Sequence, residues 1–478
     1  MTTRYASPDP DWTTDPMAAL LEVERRLDAD GCFQPYSLDY RIGVFQALDE
    51  LPRNLAKMKG DRVSLDYTNV ADLSRLADVP QTRALDLGEK VVDISALAKL
   101  PILEELQARE APVNDISALE ACRALKYVEL RVERLCDLSP LASLPNLERL
   151  NLWGYAGQPL PTMPALQHLS IAPTKAGFDL SELAGTPNLR VFSGYSLAEV
   201  TGRLPALPRL EMFQGPKAGP ENLDAFAGCP RLETLSVHDP RIRDLAPLAH
   251  CRKLQDVDVS KTSVSDVAPI VGLPELRSID VSGTLVEDVT PLSFHKGHLW
   301  GINAENTPIA SLRGWNRKAR VDSLGLGGTK VTDIEPLAGM SLRSLSLRNT
   351  PISDLTGLGG LYLASLDISG TQVASFDEII KHRSLVYDEP EHDPRERASF
   401  RFADTPLARS DERLIEISRL SEPQLALRKH LGLEKDESTK EITSRTAPPV
   451  PERTGSEQDA PAKRLASLFR SIFGNGRR

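Results

Sequence analysis

The feature that most constrains this chain is a leucine that returns at a near-constant interval. Aligned openings fall at Leu103, Leu125, Leu147, Leu166, Leu189, Leu210, Leu232, Leu254, Leu276, Leu299, Val321, Leu342, Leu363 and Leu385, with steps of 19–23 residues and most often 22. A unit this small cannot enclose a core by itself, so successive units must stack. The clearest unit runs Leu342-Arg-Ser-Leu345-Ser-Leu347-Arg-Asn-Thr350-Pro-Ile352-Ser-Asp354-Leu355-Thr-Gly-Leu358. Leu345 and Leu347 alternate with Ser344, Ser346 and Arg348, the period of a strand with one buried face. Ile352, Leu355 and Leu358 follow at spacings of three, which suits a turn of 3-10 or α-helix on the return leg. The expected architecture is an α/β repeat solenoid over residues 60–388. It holds about fifteen units, weaker ones opening near Gly60 and Thr82. A curved parallel sheet lines its concave face and short helical turns its convex face.

Two positions recur for local reasons. Asp93, Asp115, Asp137, Asp244, Asp266, Asp288, Asp333 and Asp354 each precede the apolar residue that begins the return leg. A carboxylate there can accept from the free N–H groups of the following turn. Pro140, Pro247, Pro269, Pro291 and Pro336 lie close behind, where a missing N–H costs nothing.

The pattern resembles the 22-residue leucine-rich-repeat class of bacterial internalin-like proteins, over roughly residues 60–388. In that class the position after the strand is usually asparagine; here it is mostly threonine, at Thr262, Thr284, Thr307, Thr329, Thr350 and Thr371. A threonine hydroxyl can serve the same backbone with fewer bonds. The resemblance implies a non-catalytic surface for binding another protein. Internalins are secreted and anchored to the wall. Neither a signal nor an LPxTG-like tail is read here, so surface adhesion is not carried over.

Charge and cysteine usage narrow the partner. A net charge of −10 disfavours nucleic acid, and the repeats carry no basic stripe to override it. The cysteines Cys32, Cys122, Cys136, Cys229 and Cys251 are odd in number and form no CxxC pair. Neither a disulfide framework nor a zinc site is expected. Cys122, Cys229 and Cys251 share a repeat position filled elsewhere by leucine, so they read as core. With no apolar h-region after Met1 and no long apolar run, a cytoplasmic protein is expected. No cofactor or catalytic residue is expected. Gly325–Lys330 lacks phosphate-loop spacing. Asp256, Asp258 and Asp280 read as a solvated acidic patch, and His295 and His298 lack further metal ligands.

The template weakens between about residues 153 and 220. Phe192, Gly194, Phe213 and Gly215 replace strand leucines, and irregular units often mark a bend or a binding face. Residues 1–59 read as an N-terminal helical cap, with helices over Pro16–Leu27 and Ile42–Leu55. Residues 389–462 read as a disordered linker with one helix around Asp411–Leu433. In residues 463–478, Leu465, Leu468, Phe469, Ile472 and Phe473 form one apolar stripe among basic residues. That basic amphipathic segment suits a membrane surface or a partner's groove, or else folds back on the array's open edge.

Strand positions facing outward include Glu105, Arg109, Tyr127, Glu129, Arg131, Arg149, Asn151, Trp153, His168, Tyr195, Met212, Gln214 and His238, then Ser344 and Ser346. Large aromatic and arginine side chains of the kind that anchor interfaces gather in the first group. The expected partner-binding residues are therefore Tyr127, Arg131, Arg149, Trp153, Tyr195 and His238, within a protein-binding scaffold. The second expectation for function is an effector delivered into another cell by a specialised secretion system.

Overall fold

The computed structural model describes residues 50–431 and Arg25, apart from residues 59, 67, 133–136, 172–176, 195, 196, 198, 216–218, 359, 360, 362, 376, 378–398 and 421–423. Of the expected helix Pro16–Leu27 only Arg25 is described, and it is helical, while the tail 463–478 and Tyr195 lie outside the described residues. The chain divides into two compact units, Met1–Ile279 and Asp280–Arg478.

In the first unit each repeat contributes one short strand. Arg62–Ser64, Ala84–Asp86, Glu105–Ala108, Tyr127–Arg131, Arg149–Trp153, His168–Ile171, Val191–Ser193, Met212–Gln214, Thr234–Ser236 and Asp256–Asp258 pair in that order, all parallel. The register stacks like on like. Leu85, Leu106, Val128, Leu150, Leu169, Phe192, Phe213, Leu235 and Val257 form one continuous buried file. Each buried leucine of such a file contributes about 1.5–3 kcal/mol of transfer free energy.

The return legs are 3-10 turns, such as Ser95–Lys99, Ser117–Ala121 and Ser139–Ser143, with Leu97, Leu119 and Leu141 as their buried residues. The recurring aspartates do what their position suggests. Asp93 Oδ1 accepts from the Ser95 N–H at 2.8 Å, Asp115 from Ser117 at 2.8 Å, and Asp244 from Ala246 at 2.7 Å. In the second unit Asp288, Asp333 and Asp354 accept in the same way at 2.8, 2.8 and 2.9 Å. The N–H bond to Asp93 and that to Asp137 hold both carboxyls below the ordinary range. Pro140 and Pro247 stand in the first turn of their legs.

A change of core runs through the irregular stretch. Tyr155, Phe178, Phe192, Phe213 and Phe226 are all buried, with successive ring centroids 5.7, 5.6, 5.1 and 5.0 Å apart. The outer two contacts are edge-on and the inner two stacked, the arrangements aromatic quadrupoles favour. Phe178–Asp179 and Val200–Thr201 add a two-stranded ladder of their own.

In the second unit the strands Gly301–Asn303, Ser323–Gly325, Ser344–Ser346, Ser365–Asp367 and Ser399–Arg401 pair in parallel. The threonine file is regular. Thr284, Thr307, Thr329, Thr350 and Thr371 donate to the carbonyl three residues back at 2.6–2.7 Å. The residue before each threonine takes the left-handed conformation, with glycine or asparagine at Gly283, Asn306, Gly328, Asn349 and Gly370. Those are the residue types that tolerate it.

Two expectations change. The helix expected over Ile42–Leu55 does not reach its end: residues 50–54 are bend, coil and turn, and Leu55–Lys57 is a 3-10 turn. Pro52 disfavours helical backbone at the residue before it. The reading of 389–462 as a disordered linker differs from the structure at 399–420. Ser399–Arg401 pairs with the preceding strand through Leu366 and Phe400, and Phe402 stacks on Phe400 at 5.2 Å. Thr405 repeats the ladder bond, donating to Phe402 O at 2.8 Å, and its oxygen also accepts from the Ala408 N–H at 2.9 Å. It thereby caps the helix Pro406–Arg409. Helices Glu412–Ser418 and Gln424–His430 follow, where one helix was expected. Leu407, Leu414, Ile417 and Leu427 are buried.

Candidate functional site: an aromatic face on the sheet

The paired strands Tyr127–Arg131 and Arg149–Trp153 are the longest in the first unit, and their outward positions carry large side chains. Tyr127 lies opposite Arg149, Glu129 opposite Asn151, and Arg131 opposite Trp153. The register follows from the repeat, since equivalent positions one unit apart must become neighbours.

Glu129 organises this face. It is only 8% exposed although it points away from the core. Its Oε2 accepts from the Tyr127 hydroxyl at 2.6 Å and its Oε1 from the Trp153 indole N–H at 2.6 Å. Asn151 Nδ2 donates to the Tyr127 oxygen at 3.1 Å. The Arg109 guanidinium covers the indole, 3.9 Å from the ring centroid, in cation–π geometry. Burial, and then the bond to Glu129, pushes the Tyr127 hydroxyl up to about 12, so it stays a donor at every physiological pH. Tyr127 and Trp153 remain partly exposed, yet their polar tips are fixed. Side chains already held in one rotamer lose little entropy on docking.

Of the expected residues, Tyr127, Arg131, Arg149 and Trp153 are brought together. His238 is not: the strands His168–Ile171, Val191–Ser193 and Met212–Gln214 separate its neighbourhood from Trp153. Its ring nitrogens lie 3.1 Å from Ser236 Oγ and 3.1 Å from Ser260 Oγ. Arg109 and Glu129 were legible as outward positions but not as the residues that fix the rings. The signal was present, because Glu129 sits between the offsets of Tyr127 on its own strand and of Trp153 on the next.

Beside this face, where the chain enters the strands, lies an open depression of about 550 Å³ lined by Glu148, Gln167, Arg190 and Glu211 among others. Arg190 and Glu211 close on each other through two bonds of 2.9 and 2.8 Å.

Other groups with chemical potential are occupied structurally. Cys122, Cys229 and Cys251 are buried, and burial pushes their thiols up to about 11, 11 and 12, so the nucleophilic thiolate is suppressed. Asp280 accepts from the Ser282 N–H and from Asn303 Nδ2, both at 2.8 Å. His298 Nε2 lies 2.8 Å from Asp322 Oδ1. Among the described residues no group of three or more His, Cys, Asp and Glu could hold a metal ion. No helix among them is long and apolar enough to cross a membrane.

No family model matches the chain, and no curated protein matches it. Solved structures do. An internalin from Listeria monocytogenes is 19% identical, with 78% of this chain and 99% of that chain covered and a TM-score of 0.51. A leucine-rich-repeat protein from Leptospira interrogans is 15% identical, with 72% and 93% covered and a TM-score of 0.57. At such identities the likeness carries the fold alone: short parallel strands, 3-10 return legs and a leucine core give this chain the leucine-rich-repeat solenoid fold that the internalin also has.

Proposed function

We propose that this chain is a non-catalytic scaffold that docks a protein partner on the sheet face formed by Tyr127, Arg131, Arg149 and Trp153. One observation carries the reading: Trp153 is partly exposed while its N–H is tied to Glu129 and its ring is covered on one side by Arg109. Rigid aromatic and arginine side chains are the groups that dominate protein interfaces. The net charge of −10 favours a protein over nucleic acid as the partner. Buried, unpaired cysteines support a cytoplasmic setting, where thiols stay reduced. Delivery into another cell and a membrane contact both rest on residues 463–478, which lie outside the described residues. Tyr195 remains a proposed contact on its sequence position alone. His238 is a peripheral one, given its distance along the ladder.

The test is affinity capture from a lysate of the source cells on wild-type protein, Trp153→Ala and Glu129→Gln. The proposal expects a protein held by the wild type, lost by Trp153→Ala and weakened by Glu129→Gln, in which an NH2 replaces one of the two oxygens that hold the Tyr127 and Trp153 donors. Equal recovery on all three would sink the reading.

A further inference from the structure

On the docking face Arg149 and His168 present hydrogen-bond donors that bond nothing among the described residues, although the charges of Glu148 and Glu211 also reach His168. Arg149 and His168 are register partners on adjacent strands. Arg149 is exposed, and among the described residues its guanidinium has no hydrogen-bond or ion-pair partner. Two other arginines of this unit are bonded: Arg62 bonds Asp86 at 2.9 Å and Glu105 at 2.6 Å, and Arg190 holds Glu211. The neighbours of Arg149 on the face bond one another and leave it unbonded. Both oxygens of Glu129 are engaged, and the Tyr127 oxygen already accepts from Asn151.

His168 adds a second donor. Its Nδ1 is buried without a partner. Orphaned buried N–H groups are rarer than orphaned acceptors, so we assign the ring proton to Nε2. Nε2 likewise has no partner among the described residues. Burial, then the charges of Arg149 and Arg190, holds this imidazole below its usual pKa, so it is a neutral donor at pH 7.

We infer that Arg149 and His168 form a subsite for one carboxylate of the docked protein, an inference that rests on the docking face proposed above. One fixed cation with a neutral N–H a strand spacing away matches a planar monoanion, which a guanidinium takes through two parallel bonds. A phosphate dianion would leave a charge uncompensated. The carboxylate is either an Asp or Glu side chain or a chain terminus.

The probe is a displayed library of random dodecapeptides selected on the full-length protein. Selected peptides are then synthesised with free and amidated C-termini, and with Asp→Asn or Glu→Gln changes. Binding is measured to wild type, Arg149→Gln, His168→Gln and Trp153→Ala. Acidic residues or a required free terminus should be enriched. Arg149→Gln should weaken binding about tenfold or more and His168→Gln less, as for bonds to a charged group. Removing the peptide carboxylate should abolish the difference between wild type and Arg149→Gln. Arg149 is exposed and unpartnered, so the melting temperature of Arg149→Gln should match wild type. Peptides that need Trp153 yet show no acidic preference, or bind Arg149→Gln equally, overturn the carboxylate subsite and leave the docking face standing. Peptides that bind Trp153→Ala equally, or a selection that yields none, overturn the docking face itself.

Discussion

The stretch around Phe192 and Phe213 and the repeats around Leu345 solve the same packing problem with different side chains. In the regular unit Leu342, Leu345 and Leu347 fill the interior, each fully buried. In the irregular units the corresponding residues are Leu189, Phe192 and Gly194, then Leu210, Phe213 and Gly215. A Cβ on Gly194 would lie 2.6 Å from Leu197 Cδ1 and 3.0 Å from Phe192 Cε1, and one on Gly215 would lie 3.0 Å from Phe213 Cε1. The ring occupies the room of the missing leucine. Phe and Gly are therefore one substitution for Leu and Leu, and the weakened sequence pattern hides an intact core. The second difference is in how the strand exits are secured. The second unit closes each exit with a buried threonine hydroxyl bonded to its own backbone, whereas the aromatic units hold theirs by ring packing.

Removing a ring breaks this comparison most severely. Phe213→Ala should cost about 3–5 kcal/mol in denaturant unfolding, because the ring touches Phe192 and Phe226 on either side. A loss well under that range would mean the rings are not the core of these units. Gly194→Leu comes next, at about 1–3 kcal/mol from overpacking. The double variant Phe192→Leu with Gly194→Leu should recover most of that loss by restoring the regular pair. Additive losses would show that the ring and the glycine are unrelated. Thr350→Val should cost about 1 kcal/mol, the net value of its bond to Leu347 O, and the same change at Thr329 should cost about as much. The smallest effect is one of pH. The folded state holds His168 below its unfolded pKa of about 6.5. The unfolded chain then binds the proton first as pH falls, so stability is lost below that value. Glu148 and Glu211 act against this shift, and Arg149 and Arg190 with it. His168→Gln should flatten the decline in melting temperature on acidification; an unchanged slope would exclude this imidazole as its source.

The period-two leucines and the spacing of three made strand and return leg legible, and the recurring aspartates and threonines announced their bonds. What escaped has physical causes. Phe400 lies far more than one repeat length after its partner Leu366, so the last strand has no period to reveal it. Left-handed backbone before each ladder threonine is satisfied by Gly283, Asn306, Lys261 and Asp404 alike, so no single residue type marks it. At the site, Tyr127, Arg149 and Trp153 stood out by size. The role of Glu129 depends on register between strands, because one carboxylate must reach a donor on each. His238 stood out by type alone, and its contacts are with Ser236 and Ser260 instead.

The central claim is that the partner docks on this sheet face. It is tested most directly by placing a photo-crosslinking benzoylphenylalanine at position 153 or at position 142, an exposed position on the return leg Ser139–Ser143, and irradiating in source cells. The account predicts a discrete protein adduct from position 153 and none from position 142. Adducts from position 142 alone, or equally from both, would contradict it.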